Sequence, residues 1–249
     1  MIGHVASPQC IGPLLNGWEE GMLYAYLAGR MGYAVADGAY RSAQVRVGDF
    51  CFFAGEPDAR VAAWQPENTR PYTILIPRTP DWRPLIEQCY PQARLTERYA
   101  FAKKNAFQRA KLSVLAARVP DEYALRRMDG ALFRQAGQEE WSRDLTSQYP
   151  DWEDFAAHGL GIAAVRAGRL LCGASCYADW PGGIEVEIDT HPSHRRLGLA
   201  RACAAALILA CLERGLHPSW DAAHPVSAHL AETLGYLPAG AYPAYELWQ

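Results

Sequence analysis

The sequence predicts an α/β protein, with a mixed central sheet flanked by helices in its C-terminal half and an α/β lobe before it. Three observations carry this. From Tyr123 onward the apolar residues alternate, or recur at helical spacing, in the order β-α-α-β-β-β-α-β-α-β. Within that order, residues 183–215 (GIEVEIDTHPSHRRLGLARACAAALILACLERG) read as a strand, a short polar turn and a buried helix. A polar, basic stretch, KKNAFQRAK, lies in a seam between Lys103 and Pro120. It separates an N-terminal lobe at 1–110 from the more orderly domain at 111–249.

In chain order, residues 1–17 are rich in Gly and Pro and carry little periodic signal. Residues 18–31 predict a helix, because Met22, Leu23, Tyr26 and Leu27 fall on one side of it, and Gly32 is placed to end it. Short β-type runs follow at 43–47, 50–54 and 60–64, the last after a Glu56-Pro57-Asp58 turn. A strand at 72–76, a helix at 81–90 and a strand at 93–103 complete the lobe, which contains no chemical motif. Beyond the seam, 123–128 predicts a strand, 131–145 a helix and 151–158 a second helix, with Asp151 placed to cap it. Residues 160–167 and 169–177 predict a hairpin turning through Ala167-Gly168. Pro181-Gly182-Gly183 leads into the central strand at 184–190. After the long helix come a short strand at 218–221, a helix at 226–234 stopped by Gly235, and a strand-like tail at 236–248 broken by Pro238, Gly240 and Pro243.

At 249 residues the chain is long enough for a sizeable core, and 50% hydrophobic with 20% charged residues is ordinary globular composition. A formal charge of −3 gives no reason to expect a nucleic acid or an anionic membrane as partner. The longest apolar run, at 202–212, falls short of the about 20 residues a membrane span needs. The seven cysteines are odd in number, include no CxxC pair and follow no signal segment. Buried reduced thiols in a cytoplasmic protein are therefore expected. His191 and His194 have no carboxylate or cysteine at ligand spacing, so no metal is expected.

The chemistry concentrates in Arg195-Arg196-Leu197-Gly198-Leu199-Ala200. The first N–H groups of a helix lack intrahelical partners and coincide with the positive end of its dipole, so a helix entered from a strand is a ready anion site. Gly198 lets a phosphate approach the backbone, and Arg195 and Arg196 add charge-assisted donors. Taken alone, those residues suit an ordinary strand-turn-helix unit with solvated arginines equally well. Three acids lie nearby in sequence: Glu185 and Glu187 on the central strand, and Asp221 after the next one. Alternation puts Glu185, Glu187 and Asp189 on one face unless a bulge resets the phase.

Arg-x-x-Gly-x-Ala after a strand, with Pro192 three residues before Arg195, resembles the acyl-coenzyme A signature of the GNAT superfamily of N-acetyltransferases. A second segment agrees. Trp220-Asp221-Ala222-Ala223-His224-Pro225-Val226-Ser227 and then Leu230 to Tyr236 resemble the family's next strand and the helix ending in a Leu-Gly-aromatic corner. Within the superfamily, the strand ending in acidic-Thr-x-Pro and the Trp-Asp pair resemble the zwittermicin A resistance-type acetyltransferases.

The resemblance implies a GNAT-like sheet over about 123–248, with acetyl-coenzyme A as co-substrate and a small-molecule amine as acceptor. The pantetheine arm is expected along Ile188, Asp189 and Thr190, and the pyrophosphate on Arg195, Arg196, Leu197, Gly198, Leu199 and Ala200. Ser227 and His224 are expected on the opposite side of the arm. A carboxylate would serve as base, directly or through water, with Glu187 first and Glu185 and Asp221 after it. Many family members place a tyrosine where this chain has Ala231; Tyr236, Tyr242, Tyr245, His224 or water would have to replace it as proton donor. The acceptor implied is polyamine-like or amino-sugar-like, and the N-terminal lobe would shape its site. The protein is expected to be a monomer or homodimer. A non-catalytic acyl-coenzyme A-binding protein, and transfer of a longer acyl or aminoacyl group, remain open alternatives.

Overall fold

The computed structural model describes residues 1–104 and 106–249; Asn105, within the expected seam, lies outside the described residues. The chain divides into two compact units, Met1–Arg98 with Ala241–Gln249, and Tyr99–Gly240. The division thus precedes the expected boundary at 110, and the last nine residues return to the first unit.

The first unit contains β1 (Ile2–His4), α1 (Gly12–Leu15), α2 (Gly21–Leu27), β2 (Tyr33–Asp37), β3 (Ser42–Val47), β4 (Phe50–Gly55), α3 (Ala59–Ala63), β5 (Tyr72–Pro77) and α4 (Arg83–Cys89). Strands β1 to β5 lie in sequence order in a sheet, antiparallel except for the parallel β4–β5 pair. The run at 60–64, expected as a strand, is the helix α3. Asp58 caps it by accepting the Arg60 N–H at 2.7 Å, and this local cap outweighs the β-type composition. The expected helix at 18–31 is confined to α2, and β2 was not anticipated. Trp82 in the turn before α4, Ile86 within it and Tyr90 just after it bury against Phe53 and Leu75, with Phe53 and Trp82 rings 5.3 Å apart.

The chain crosses into the second unit within β6 (Arg94–Phe101) and leaves it within β13 (Pro238–Trp248). Between them come α5 (Arg109–Ala116), β7 (Ala124–Arg127), α6 (Gly130–Ala136), α7 (Trp152–His158), β8 (Gly161–Arg166), β9 (Arg169–Trp180) and β10 (Gly183–Thr190). Then follow α8 (Leu199–Glu213), β11 (His217–Ser219), β12 (Asp221–Ala222) and α9 (Pro225–Leu234). The element order expected from Tyr123 onward is present, except that the strand expected at 218–221 is split into β11 and β12. The helix expected over 131–145 ends at Ala136 and resumes only as a 3₁₀ turn, Arg143–Leu145.

The strand order is β11-β10-β9-β8-β7, with only β10–β11 parallel. This mixed sheet, flanked by helices, is the predicted fold class. Helix α8 buries Leu199, Cys203, Leu207 and Ile208, which is why its sequence is apolar nearly all round. Ala204, Ala205 and Ile208 join Leu112 of α5 with Trp220, Leu234 and Tyr236, and Val186 and Ile188 of β10 pack on the same cluster. The core of this unit thus sits directly under the central strand.

Candidate active site

Strand β11 accompanies β10 for three residue pairs, Gly183↔His217, Ile184↔Pro218 and Glu185↔Ser219. The chain then turns at the buried Trp220, and β12 pairs instead with β6 through Asp221↔Ala100 and Ala222↔Tyr99. Beyond Glu185, no strand pairs with the β11-side edge of β10 among the described residues. Backbone N–H and C=O groups are obligatory hydrogen-bonding groups, so an open edge of this kind accepts an extended ligand chain carrying amides. The Ile188 N–H is met by its own strand: it donates to Glu187 Oε1 at 3.0 Å.

The strand leads into a tight turn. Pro192–His194 forms a 3₁₀ turn; Arg196 follows at φ +63° and Gly198 at φ +79°, both left-handed. Helix α8 begins at Leu199 with no side-chain cap, leaving its first N–H groups for an anion. A Cβ at Gly198 would meet only Arg201 Nη2, at 3.7 Å, so the missing side chain leaves space at the helix N-terminus itself. Arg195 Nε reaches the Thr190 carbonyl at 3.4 Å. His194 is fixed by a 2.6 Å hydrogen bond between its Nδ1 and the buried Tyr123 hydroxyl.

A cleft of about 790 Å³ joins the open edge to this turn. It brings together Ile188, Asp189 and Thr190 with Arg195, Arg196, Gly198, Leu199 and Ala200, and faces them with His224 and Ser227. Leu197 is absent from the lining and 44% exposed. The sequence reading missed Trp220, Val226, His229, Leu230 and Thr233 on the opposite wall, and His194 and Arg201 by the turn. Positions 226, 229, 230 and 233 follow helical spacing along α9, a signal that was present in the sequence. Ser227 Oγ accepts the Trp220 indole N–H at 3.3 Å, tying α9 to the turn where β11 ends.

These residues fit a coenzyme A chain. Arg195, Arg196, Arg201 and the α8 N-terminus are cationic or hydrogen-bond-donating at one end. The open β10 edge and the apolar Val226 and Leu230 line the same cleft.

The expected acids behave differently. Glu185, Glu187 and Asp221 are not part of the cleft lining. Glu185 is buried, beside a register shift between Glu185 and Val186 where Tyr177 of β9 is the extra residue. The extra residue lies on β9, so the alternation of Glu185, Glu187 and Asp189 along β10 is not reset. Glu187 and Asp189 pair directly with Ser175 and Gly173 of β9. Asp189 does line the cleft, and its carboxyl is pushed up to about 7, first by burial and then by the Asp144 charge, against a lowering by Arg195.

Ala231 is buried, and the neighbouring Tyr236 hydroxyl is buried with no hydrogen-bond partner among the described residues. Burial raises the Tyr236 pKa well above 10, so it stays protonated. Tyr245 belongs to the first unit, where its hydroxyl donates to Glu87 Oε1 at 2.6 Å. Among the described residues, no group of three or more His, Cys, Asp or Glu side chains is arranged to hold a metal ion.

The profile of the GNAT acetyltransferase family matches residues 12–245. The chain belongs to the GNAT acetyltransferase family. A GCN5-related N-acetyltransferase-like protein from Streptococcus suis 89/1591 superposes with a TM-score of 0.91 at 39% identity, covering 97% of this chain and 98% of that one. A GCN5-related N-acetyltransferase from Sphaerobacter thermophilus, 12% identical, shares the fold at a TM-score of 0.58 over 100% of this chain and 95% of its own. The curated relative, "Uncharacterized N-acetyltransferase YdfB" of Bacillus subtilis (strain 168), is 33% identical over 95 residues, 36% of either chain. The match therefore spans about a third of that relative's length. No helix among the described residues is long and apolar enough to cross a membrane.

Proposed function

We propose that this GNAT protein transfers an acetyl group from acetyl-coenzyme A to an amine of a small molecule by direct attack. The observation that carries the reading is the open edge of β10 running into the Gly198 turn, inside a single cleft. The pantetheine amides bond to the β10 backbone around Ile188, Asp189 and Thr190. The pyrophosphate rests on the α8 N-terminus between Arg195, Arg196 and Arg201, and His224 and Ser227 flank the arm from α9. The thioester carbonyl polarises on a backbone N–H of the open edge. The Ile188 N–H, held by Glu187 Oε1, is the one in place, and binding displaces that carboxylate.

The expected acids Glu187, Glu185 and Asp221 lie outside the lining, so a proton reaching them passes through water. The Trp220-Asp221 pair and the Asp189-Thr190-His191-Pro192 strand end support a kinship with the zwittermicin A resistance-type enzymes. That kinship points to a polyamine-like or amino-sugar-like acceptor in the cytoplasm.

The test is thiol release from acetyl-coenzyme A over a panel of primary amines. Release with at least one amine, lost on blocking the cleft, is expected. Tight acetyl-coenzyme A binding without release across the panel would instead leave a non-catalytic acyl-coenzyme A-binding protein. Stronger thermal stabilisation by a longer acyl or aminoacyl thioester would shift the donor.

A further inference from the structure

Asp189 pairs directly with Gly173 of β9, and directly opposed residues of an antiparallel ladder send their side chains to one face. On that face a Cβ at Gly173 would stand 2.5 Å from Leu145 Cδ1. The fully buried Leu145 uses the space that glycine leaves, and its carbonyl accepts a hydrogen bond from the buried Ser175 hydroxyl. These two contacts clamp the 3₁₀ turn Arg143–Leu145 onto the sheet and bring Asp144 to bear on Asp189. Burial first, and then the like charge of Asp144, raise the Asp189 carboxyl. Other titratable groups on the elements around Asp189 are Glu187 on β10, Arg143 on the 3₁₀ turn and Cys172 on β9. His191, His194, Arg195 and Arg196 belong to the turn, and Arg201 and Cys203 to α8. Of all these, Asp144 raises Asp189 and Arg195 lowers it.

We infer that Asp189 is the carboxylate that takes the proton of the incoming ammonium, and that Asp144, on the 3₁₀ turn held over the same face of the sheet, is its positioning residue. This rests on the acetyl-transfer reading. Asp189 belongs to the cleft lining and presents its side chain on the face of the 3₁₀ turn, so the amine approaches from that face. The ammonium gives one proton to the Asp189 carboxylate. The freed nitrogen lone pair then forms the C–N bond to the thioester carbon. The C–S bond breaks, and the second amine proton goes to the departing sulfur, which leaves as the thiol. Asp189 returns its proton to solvent. A base that titrates near neutrality matches the proton-transfer task better than an ordinary carboxylate.

The test uses the full chain with Asp189→Asn and Asp144→Asn, acetyl-coenzyme A, and two nucleophile classes: primary alkylamines, protonated at neutral pH, and hydroxylamine, largely neutral there. Asp189→Asn keeps the shape of the side chain and the β10 backbone while removing the carboxylate. It should cut turnover of primary amines at least about 100-fold, within the usual range for general-base loss, and spare hydroxylamine. Asp144→Asn is expected to move the acidic limb of the pH–rate profile to lower pH. Full turnover of primary amines by Asp189→Asn, or an unmoved limb in Asp144→Asn, overturns the inference.

Two measurements need no acceptor, so failure of the acetyl-transfer reading is distinguishable. The carboxyl carbon of Asp189 should titrate near neutrality by NMR, and lower in Asp144→Asn; a midpoint near 4 in the native chain overturns the inference. A carboxyl raised in the folded state costs stability progressively above its unfolded value and fully above about 7. Asp189→Asn should therefore raise the melting temperature at pH 8 by about 2–4 °C or more and leave it nearly unchanged at pH 4. An equal change at both pH values also counts against the pair.

Discussion

Gly198 shows how much of the site rests on one missing side chain. Its left-handed φ of +79° is open to Asp or Asn at a cost of about 1 kcal/mol, and a Cβ there touches only an arginine tip. Gly198→Asp is therefore expected to fold with native circular dichroism. It places a carboxylate where the pyrophosphate would lie, and acetyl-coenzyme A affinity by calorimetry should fall at least about 100-fold. Unchanged affinity in a folded variant would remove the phosphate from this turn. The arginines and the glycine were legible in the sequence because short-range chemistry identifies them. Which acid lines the cleft was not legible. Glu187 is nearest the splay along the chain, but its Oε1 holds the adjacent Ile188 N–H. What raises the Asp189 carboxyl is its burial first and then the charge of Asp144, forty-five positions away in sequence.

At the scale of elements, the 3₁₀ turn Arg143–Leu145 does what a longer helix could not. Had the helical pattern continued through 145 as expected, Leu145 would not sit over Gly173 with its carbonyl tied to Ser175. Gly173→Val fills that space in a close-packed interior and should destabilise the protein by about 1–3 kcal/mol in urea unfolding. By lifting the turn, it should also lower the Asp189 titration midpoint toward the ordinary carboxylate range. A Val variant of native stability and titration would show that the turn is held from elsewhere. The helix α3 carries a related lesson in the first unit. Its residues read as a β-run, and only the Asp58 cap bond to the Arg60 N–H reveals the helix.

Across the whole molecule, the order of elements and the order of packing part company at the C-terminus. The last strand leaves the second unit and pairs with β5 of the first, from Tyr245↔Leu75 to Trp248↔Tyr72. Tyr245 is among the largest fully buried side chains, and its hydroxyl joins Glu87 and Arg83 of α4. Tyr245→Ala should cost the first unit about 3–5 kcal/mol, measured by the loss of amide-exchange protection in β5. Protection that survives unchanged would mean that the returning strand adds little to this sheet. Pro238, Gly240 and Pro243 led the sequence reading to expect a broken tail. Tertiary pairing carries one strand, β13, through all three.

Local pattern determined a great deal by itself. It predicted the α/β class, the element order after Tyr123, the strand-turn-helix around Arg195 and Gly198, and the Gly235 stop to α9. Each of these depends on periodicity, backbone freedom or unpaired helix N–H groups, which neighbouring residues dictate. The tertiary structure alone decided where the units divide, that β10 loses its partner after Glu185, and that Asp144 stands against Asp189. Those are long-range facts. They depend on which distant segments pack against the central strand, and no spacing within one segment encodes that.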